Sequence, residues 1–142
     1  MTRGDGSAAR SETGRTETTA LVLAGGGVAG IAWEIGVLAL TPDPLAARRA
    51  AGEFAREVEP DGAPGRGSTV SARLPVHEWP HVPLRITAVD AHTGEVAVFD
   101  GHTGVALDDA VTASCAVPGV WPVVPIGDRV YIDGGVASLA HA

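Results

Sequence analysis

The chain has 142 residues, enough for one domain with its own core, and 45% of them are hydrophobic. Its formal net charge of −7 argues against nucleic acid as a partner, because phosphate contacts need a basic face. One cysteine excludes an internal disulfide framework, no apolar run is long enough to span a bilayer, and the polar start carries no signal core, so a cytoplasmic protein is the default expectation.

Residues 1–17 are Gly, Ser, Thr and mixed charge without an aromatic residue, and read as a disordered leader. Ala20 to Ala24 is almost wholly apolar and reads as a strand buried on both faces. Three glycines follow, Gly25, Gly26 and Gly27, and then an apolar run from Val28 to Leu40 that reads as a helix. Glu34 is its only charge, so this helix is expected to be buried, with Trp33 in the core. A strand, a glycine turn and a helix in succession expose backbone N–H groups at the helix start, where the dipole favours negative charge. Glycine also lets an anion approach the backbone closely. The stretch is therefore built to hold a negative group, either a phosphate or the oxyanion of a reacting ester.

Thr41-Pro42 stops the helix, and Asp43-Pro44 reads as a cap and first-turn proline for a second helix over 44–58. Leu45, Ala51, Phe54, Ala55 and Val58 form its expected inward stripe, with Arg48, Arg49, Glu53, Arg56 and Glu57 on a solvated face. Residues 59–69 are a loop by composition, and Val70 to Leu74 is ambiguous. Leu84 to Ala91 and Glu95 to Phe99 read as a hairpin across His92-Thr93-Gly94. Asp100 to Gly104 is a further turn. Leu107 to Ala116 reads as a helix with acids in its first turn, which suits the dipole. Pro118, Pro122 and Pro125 make the next segment an irregular connection, and Arg129 to Ile132 is a short strand ending at Asp133-Gly134-Gly135.

Four patterns bear on chemistry. Gly25-Gly26-Gly27-Val28-Ala29-Gly30 has the spacing G-x-G-x-x-G, but a dinucleotide fold also needs an acidic residue ending a second strand some 20 residues on, and no strand is legible there. His77-Glu78-Trp79-Pro80-His81 spells H-E-x-x-H, yet Pro80 between the histidines opposes the helix that a zinc site of that spacing requires, so a surface loop and no metal are expected. Cys115 sits among small apolar residues and reads as core. Asp133 is a carboxylate at a strand end before two glycines, where α/β sites form.

Two blocks of the sequence resemble the patatin-like phospholipase family. One is Ala20 to Leu40 with its glycine turn. The other runs from Leu84 to Ser138 and contains the strand LRITAVDA, the run AVTASCAVPGVWPVV and RVYIDGG. The resemblance implies a three-layer α/β/α fold with a mainly parallel central sheet, incomplete here, in a domain spanning 18–142. It implies a lipid acyl hydrolase that cleaves carboxylic esters with a Ser–Asp dyad and needs no cofactor. Lipid or a small ester would be the substrate, with possible peripheral membrane contact. Carried over, Gly25, Gly26, Gly27 and Gly30 belong to the oxyanion-binding turn. Asp133 takes the serine proton, and Gly134 and Gly135 let the loop approach.

The sequence departs from that family in three places. No Gly-x-Ser-x-Gly occurs, so the nucleophile elbow is missing, as if a piece were deleted near 40–41. Ala29 stands where many relatives carry a basic residue, and the chain stops soon after Asp133, where relatives continue. The expectation is an inactive member. The alternatives are a non-catalytic lipid- or acyl-binding relative and a nucleotide-binding module using the glycine turn.

Overall fold

The computed structural model of the protein describes residues 21–23, 43–58 and 66–138. In chain order the elements are β1 (Leu21–Leu23), α1 (Pro44–Glu57), α2 (Arg66–Ser71), β2 (Leu84–Asp90), β3 (Val96–Phe99), α3 (Leu107–Ser114), β4 (Val124–Ile126), β5 (Arg129–Asp133) and α4 (Gly135–Ser138). The expected leader, glycine turn and first helix, with Trp33, lie outside the described residues.

The strands form one sheet organised on β2. β1 pairs with it in parallel, Leu21 to Leu84 through Leu23 to Ile86. β3 runs antiparallel over Ile86 to Val89, and β5 antiparallel over Ala88 to Asp90. β4 closes the far side, antiparallel to β5. β3 and β1 both take Ile86, and β3 and β5 both take Ala88 and Val89. β1 and β5 therefore share one edge of β2 and β3 has the other. The expectation of a mainly parallel sheet is corrected: among the described strands one pairing is parallel and three are antiparallel. The cause is local. Short turns at residues 91–95 and 127–128 join consecutive strands, and such turns can only reverse the chain. Gly94 (φ 72°) and Gly127 (φ 64°) supply the left-handed backbone these turns need.

Alternation along the strands buries both faces. Val89, Ala91 and Ile132 pack with Ala51 and Ala55 of α1 and with Val136 and Ala137. Ile86, Ala88, Phe99 and Tyr131 pack on the other side with Leu107, Ala110 and Ala113 of α3. Helices thus cover both faces of an α/β sheet. Phe99 and Tyr131 meet edge to face, with ring centroids 5.2 Å apart.

Asp43 caps α1 by accepting the Leu45 N–H at 3.0 Å, and Pro44 opens it, as the sequence suggested. Its buried stripe differs from the expected one. Ala47, Ala51, Gly52 and Ala55 face inward, while Phe54 and Val58 are 38% and 36% exposed. The helix lies too close to the sheet for larger residues: a Cβ on Gly52 would stand 2.1 Å from the Ala91 carbonyl oxygen. The arginines are not simply solvated either. Arg48, Arg49 and Arg56 donate from Nε to the carbonyls of Gly94 (2.6 Å), Thr93 (2.9 Å) and Ala91 (3.3 Å). They satisfy the β2–β3 turn that α1 crosses. Three short elements were not read from the sequence: α2 spans the end of the expected loop and the ambiguous stretch after it, β4 lies in the expected irregular connection, and α4 follows the glycines where no element was assigned.

Candidate functional site

β5 carries Tyr131 to the α3 face and Ile132 to the α1 face, so alternation turns Asp133 toward α3. Asp133 is 1% exposed. Its backbone N–H donates to the Ala116 carbonyl at 2.9 Å, and the Gly134 N–H donates to the Ser114 carbonyl at 3.3 Å. The chain then enters α4, whose first amide, Gly135 N–H, donates to Asp133 Oδ1 at 2.6 Å. A carboxylate at that position satisfies an amide that has no partner within the helix. Gly134 is required by close approach, since a Cβ there would lie 2.2 Å from the Thr87 carbonyl oxygen. The run Ala113 to Gly119 and the Asp133-Gly134-Gly135 turn, separate in sequence, are joined backbone to backbone.

The registers place one further feature beside this turn. β1 ends at Leu23 opposite Ile86, and β5 ends at Asp133 opposite Ala88, on the same edge of β2. The two chain ends are two β2 residues apart, roughly 7 Å at about 3.3 Å per residue. β1 and β5 run toward each other along that edge, β1 being described as far as Leu23. Gly25, Gly26, Gly27 and Gly30 come two to seven residues after Leu23 in the sequence and lie outside the described residues.

The other candidates fall elsewhere. His77 and His81 sit on a non-helical segment, as Pro80 requires. His77 Nδ1 pairs with Asp108 at 3.0 Å, and His81 lines a separate cleft. Among the described residues no group of three or more His, Cys, Asp and Glu side chains is arranged to hold a metal ion. Cys115 is half-buried at the end of α3. No described helix is long and apolar enough to cross a membrane.

Among the described residues three ionisable groups are displaced from their ordinary behaviour. At Asp90 burial works against the charge, but amides of Thr93 and His92 and the Arg129 guanidinium at 3.1 Å outweigh it and hold the carboxyl below its usual value. The Ser71 hydroxyl, and then His77, hold the Asp108 carboxyl low. Burial pushes the Tyr131 phenol up. Asp90 was not singled out from the sequence. An Asp three residues before a Thr-Gly turn is the signal that could have found it, because such carboxylates bond the amides just ahead of them.

Residues 51–140 match the family model described as patatin-like phospholipase. That match includes the Asp133 turn and the α3 run and excludes the glycine turn. The chain is also 39% identical over 80 residues to an S-(hydroxymethyl)glutathione dehydrogenase of Haemophilus influenzae, a stretch that covers 51% of this chain and 21% of that protein. The chain thus spans about a fifth of the length of that curated relative. No solved structure matches.

Proposed function

Because the chain belongs to the patatin-like phospholipase family, we propose that its site is that of a lipid acyl hydrolase, with the amides of Gly25, Gly26 and Gly27 as oxyanion donors, Gly30 completing their turn, and Asp133 as the base. The observation that carries this is the shared edge of β2. Leu23, two residues before Gly25 in the sequence, and Asp133 lie there opposite β2 residues two apart. Gly134 and Gly135 support the reading as the residues that let the acid turn seat against Thr87 and open α4.

In such a site an ester carbonyl gains negative charge as it is attacked, and fixed N–H donors stabilise that charge. A serine hydroxyl becomes nucleophilic when an adjacent base takes its proton. The chain holds no Gly-x-Ser-x-Gly, so the attacking hydroxyl is missing and turnover is lost. Oxyanion donors and a base without a nucleophile retain only about 10³–10⁴-fold over water in the serine proteases where this has been separated. The ligand class remains lipid or a small ester, with peripheral contact to a lipid surface and no cofactor. The test is labelling with a fluorophosphonate probe beside a short-chain ester assay. The expected result is no labelled serine and no turnover above buffer. Stoichiometric labelling of one serine would overturn the inactivity. Retained binding of fatty acid without turnover would mark a lipid-binding relative.

The G-x-G-x-x-G spacing leaves a second reading, a nucleotide on that turn. Against it, α1 occupies Pro44–Glu57, where a dinucleotide fold would place its second strand and acidic residue. A rise in melting temperature with NAD but not with fatty acid would select that reading.

A further inference from the structure

β3 forms one edge of the sheet. The Asp90 N–H donates to the Glu95 carbonyl at 2.9 Å, which makes these two a hydrogen-bonded pair of the β2–β3 ladder. Such pairs recur at every second residue, so Ala88–Ala97 and Ile86–Phe99 are the next ones. Val96 and Val98 therefore turn their N–H and C=O groups away from β2, and no described strand meets them there. Their side chains are exposed as well, by 40% and 47%. Ala97 and Phe99 pack toward α3, so Val96 and Val98 share the opposite face of the sheet. We infer that this edge pairs with the same edge of a second copy of the chain, antiparallel about a two-fold axis at Ala97, so that two sheets become one.

The edge lacks the usual protection. Natural edge strands are blunted by proline, lysine or another charge that discourages pairing. β4, at the far side of the sheet, carries Pro125 at its centre, whereas Val96–Phe99 contains neither a charge nor a proline.

It is also self-complementary. With the axis at Ala97, Val96 lies opposite Val98 of the second copy, and Val98 opposite its Val96. Both pairs use backbone groups that face outward, and each exchanges two N–H···O bonds. The exposed valines of the two copies then meet on one face. The flanking charges suit the same register. Continued past the strand, it sets Asp100 opposite Gly94 of the second copy. Arg48 and Arg49 cross that turn, donating to the Gly94 and Thr93 carbonyls. The Asp100 carboxylate accepts the His102 amide on Oδ1 at 2.9 Å, and Oδ2 has no hydrogen bond among the described residues. An acidic strand end thus meets a basic one, and two-fold symmetry repeats the match on the other side of the axis. None of these residues belongs to the proposed acyl-hydrolase site, and the inference does not depend on that reading.

The test is sedimentation equilibrium of the full chain over a range of concentrations, with cysteine cross-linking to read the register. A short edge makes a small interface, so dimers are expected at on the order of 10–100 μM. Val98→Lys is expected to weaken dimerisation about tenfold or more, with an unchanged unfolding midpoint in dilute solution. Under mild oxidation Ala97→Cys is expected to cross-link to its own copy. The two residues 97 form a non-hydrogen-bonded pair with Cα atoms about 4.5 Å apart, a span that a disulfide closes. Val98→Cys is expected not to, because in this register the two residues 98 stand about 8–9 Å apart. The parent chain, with its half-buried Cys115, is the control. A chain that stays monomeric to about 1 mM overturns the proposal. So does a dimer that Val98→Lys leaves intact, or an Ala97→Cys chain that cross-links no better than Val98→Cys.

Discussion

Gly52→Ala reverses the effect that glycine removal usually has on a helix. In an exposed helix interior the change stabilises by roughly 0.5–1 kcal/mol, because alanine loses less backbone freedom on folding. In α1 the new carbon would lie 2.1 Å from the Ala91 carbonyl oxygen and 2.7 Å from Ala91 Cα. Ordinary contact is about 3.5–4 Å, so the middle of α1 must lift by more than about 1 Å. That movement separates Ala51 and Ala55 from Val89, Ala91 and Ile132 and pulls Arg48, Arg49 and Arg56 from the turn carbonyls. Overpacking of this kind costs about 1–3 kcal/mol, which exceeds the propensity gain. The expected net loss is about 1–2 kcal/mol, or roughly 4–8 °C in melting temperature for a chain of this size. Thermal and urea unfolding followed by tryptophan fluorescence measure it. Ala50→Gly, at an exposed position of the same helix, is the control and should cost about 0.5–1 kcal/mol by propensity alone. A G52A protein as stable as the parent would show that α1 does not sit on the β2 backbone.

Ile132→Ala, at a fully buried position between the sheet and α1, is expected to cost about 2–5 kcal/mol in urea unfolding. The Asp90 carboxyl titrates below its ordinary value in the folded chain, so its contribution is present above about pH 4 and is lost as pH falls through the folded value. Asp90→Asn should therefore destabilise at neutral pH and flatten the loss of stability on acidification, which unfolding midpoints across that range would check. His77→Ala removes an exposed pair with Asp108 and should leave the unfolding midpoint nearly unchanged, any small difference disappearing at high salt.

The hairpin, the two longer helices and the Asp133 turn were legible because each depends on neighbours in sequence. Asp43-Pro44 announces α1, Asp108 and Asp109 suit the start of α3, and His92-Thr93-Gly94 announces the reversal after β2. Beyond that hairpin, strand direction was not legible: nothing in the composition of β4 and β5 marks them as antiparallel to their neighbours. The inward face of α1 was misread for a related reason. Phe54 and Val58 outrank alanine by hydrophobicity, but the distance between helix and sheet admits only Ala47, Ala51, Gly52 and Ala55. Phe54 instead lies over Gly119, where a Cβ would meet its ring at 2.6 Å. The meeting of β1 and β5 left no pattern to find, because it exists only as register on a third strand.

A helix terminus ordinarily leaves its last carbonyls to water. Here the last one, of Ser114, is taken by the amide of Gly134, and the carbonyl of Ala116, two residues beyond the helix, by the amide of Asp133. Helix and acid-bearing loop consequently travel as one rigid piece, and the aim of the carboxylate is set by where the helix rests on the sheet. Altering the volume of Ala110 or Ala113, at the base of that helix, would swing the acid without touching it.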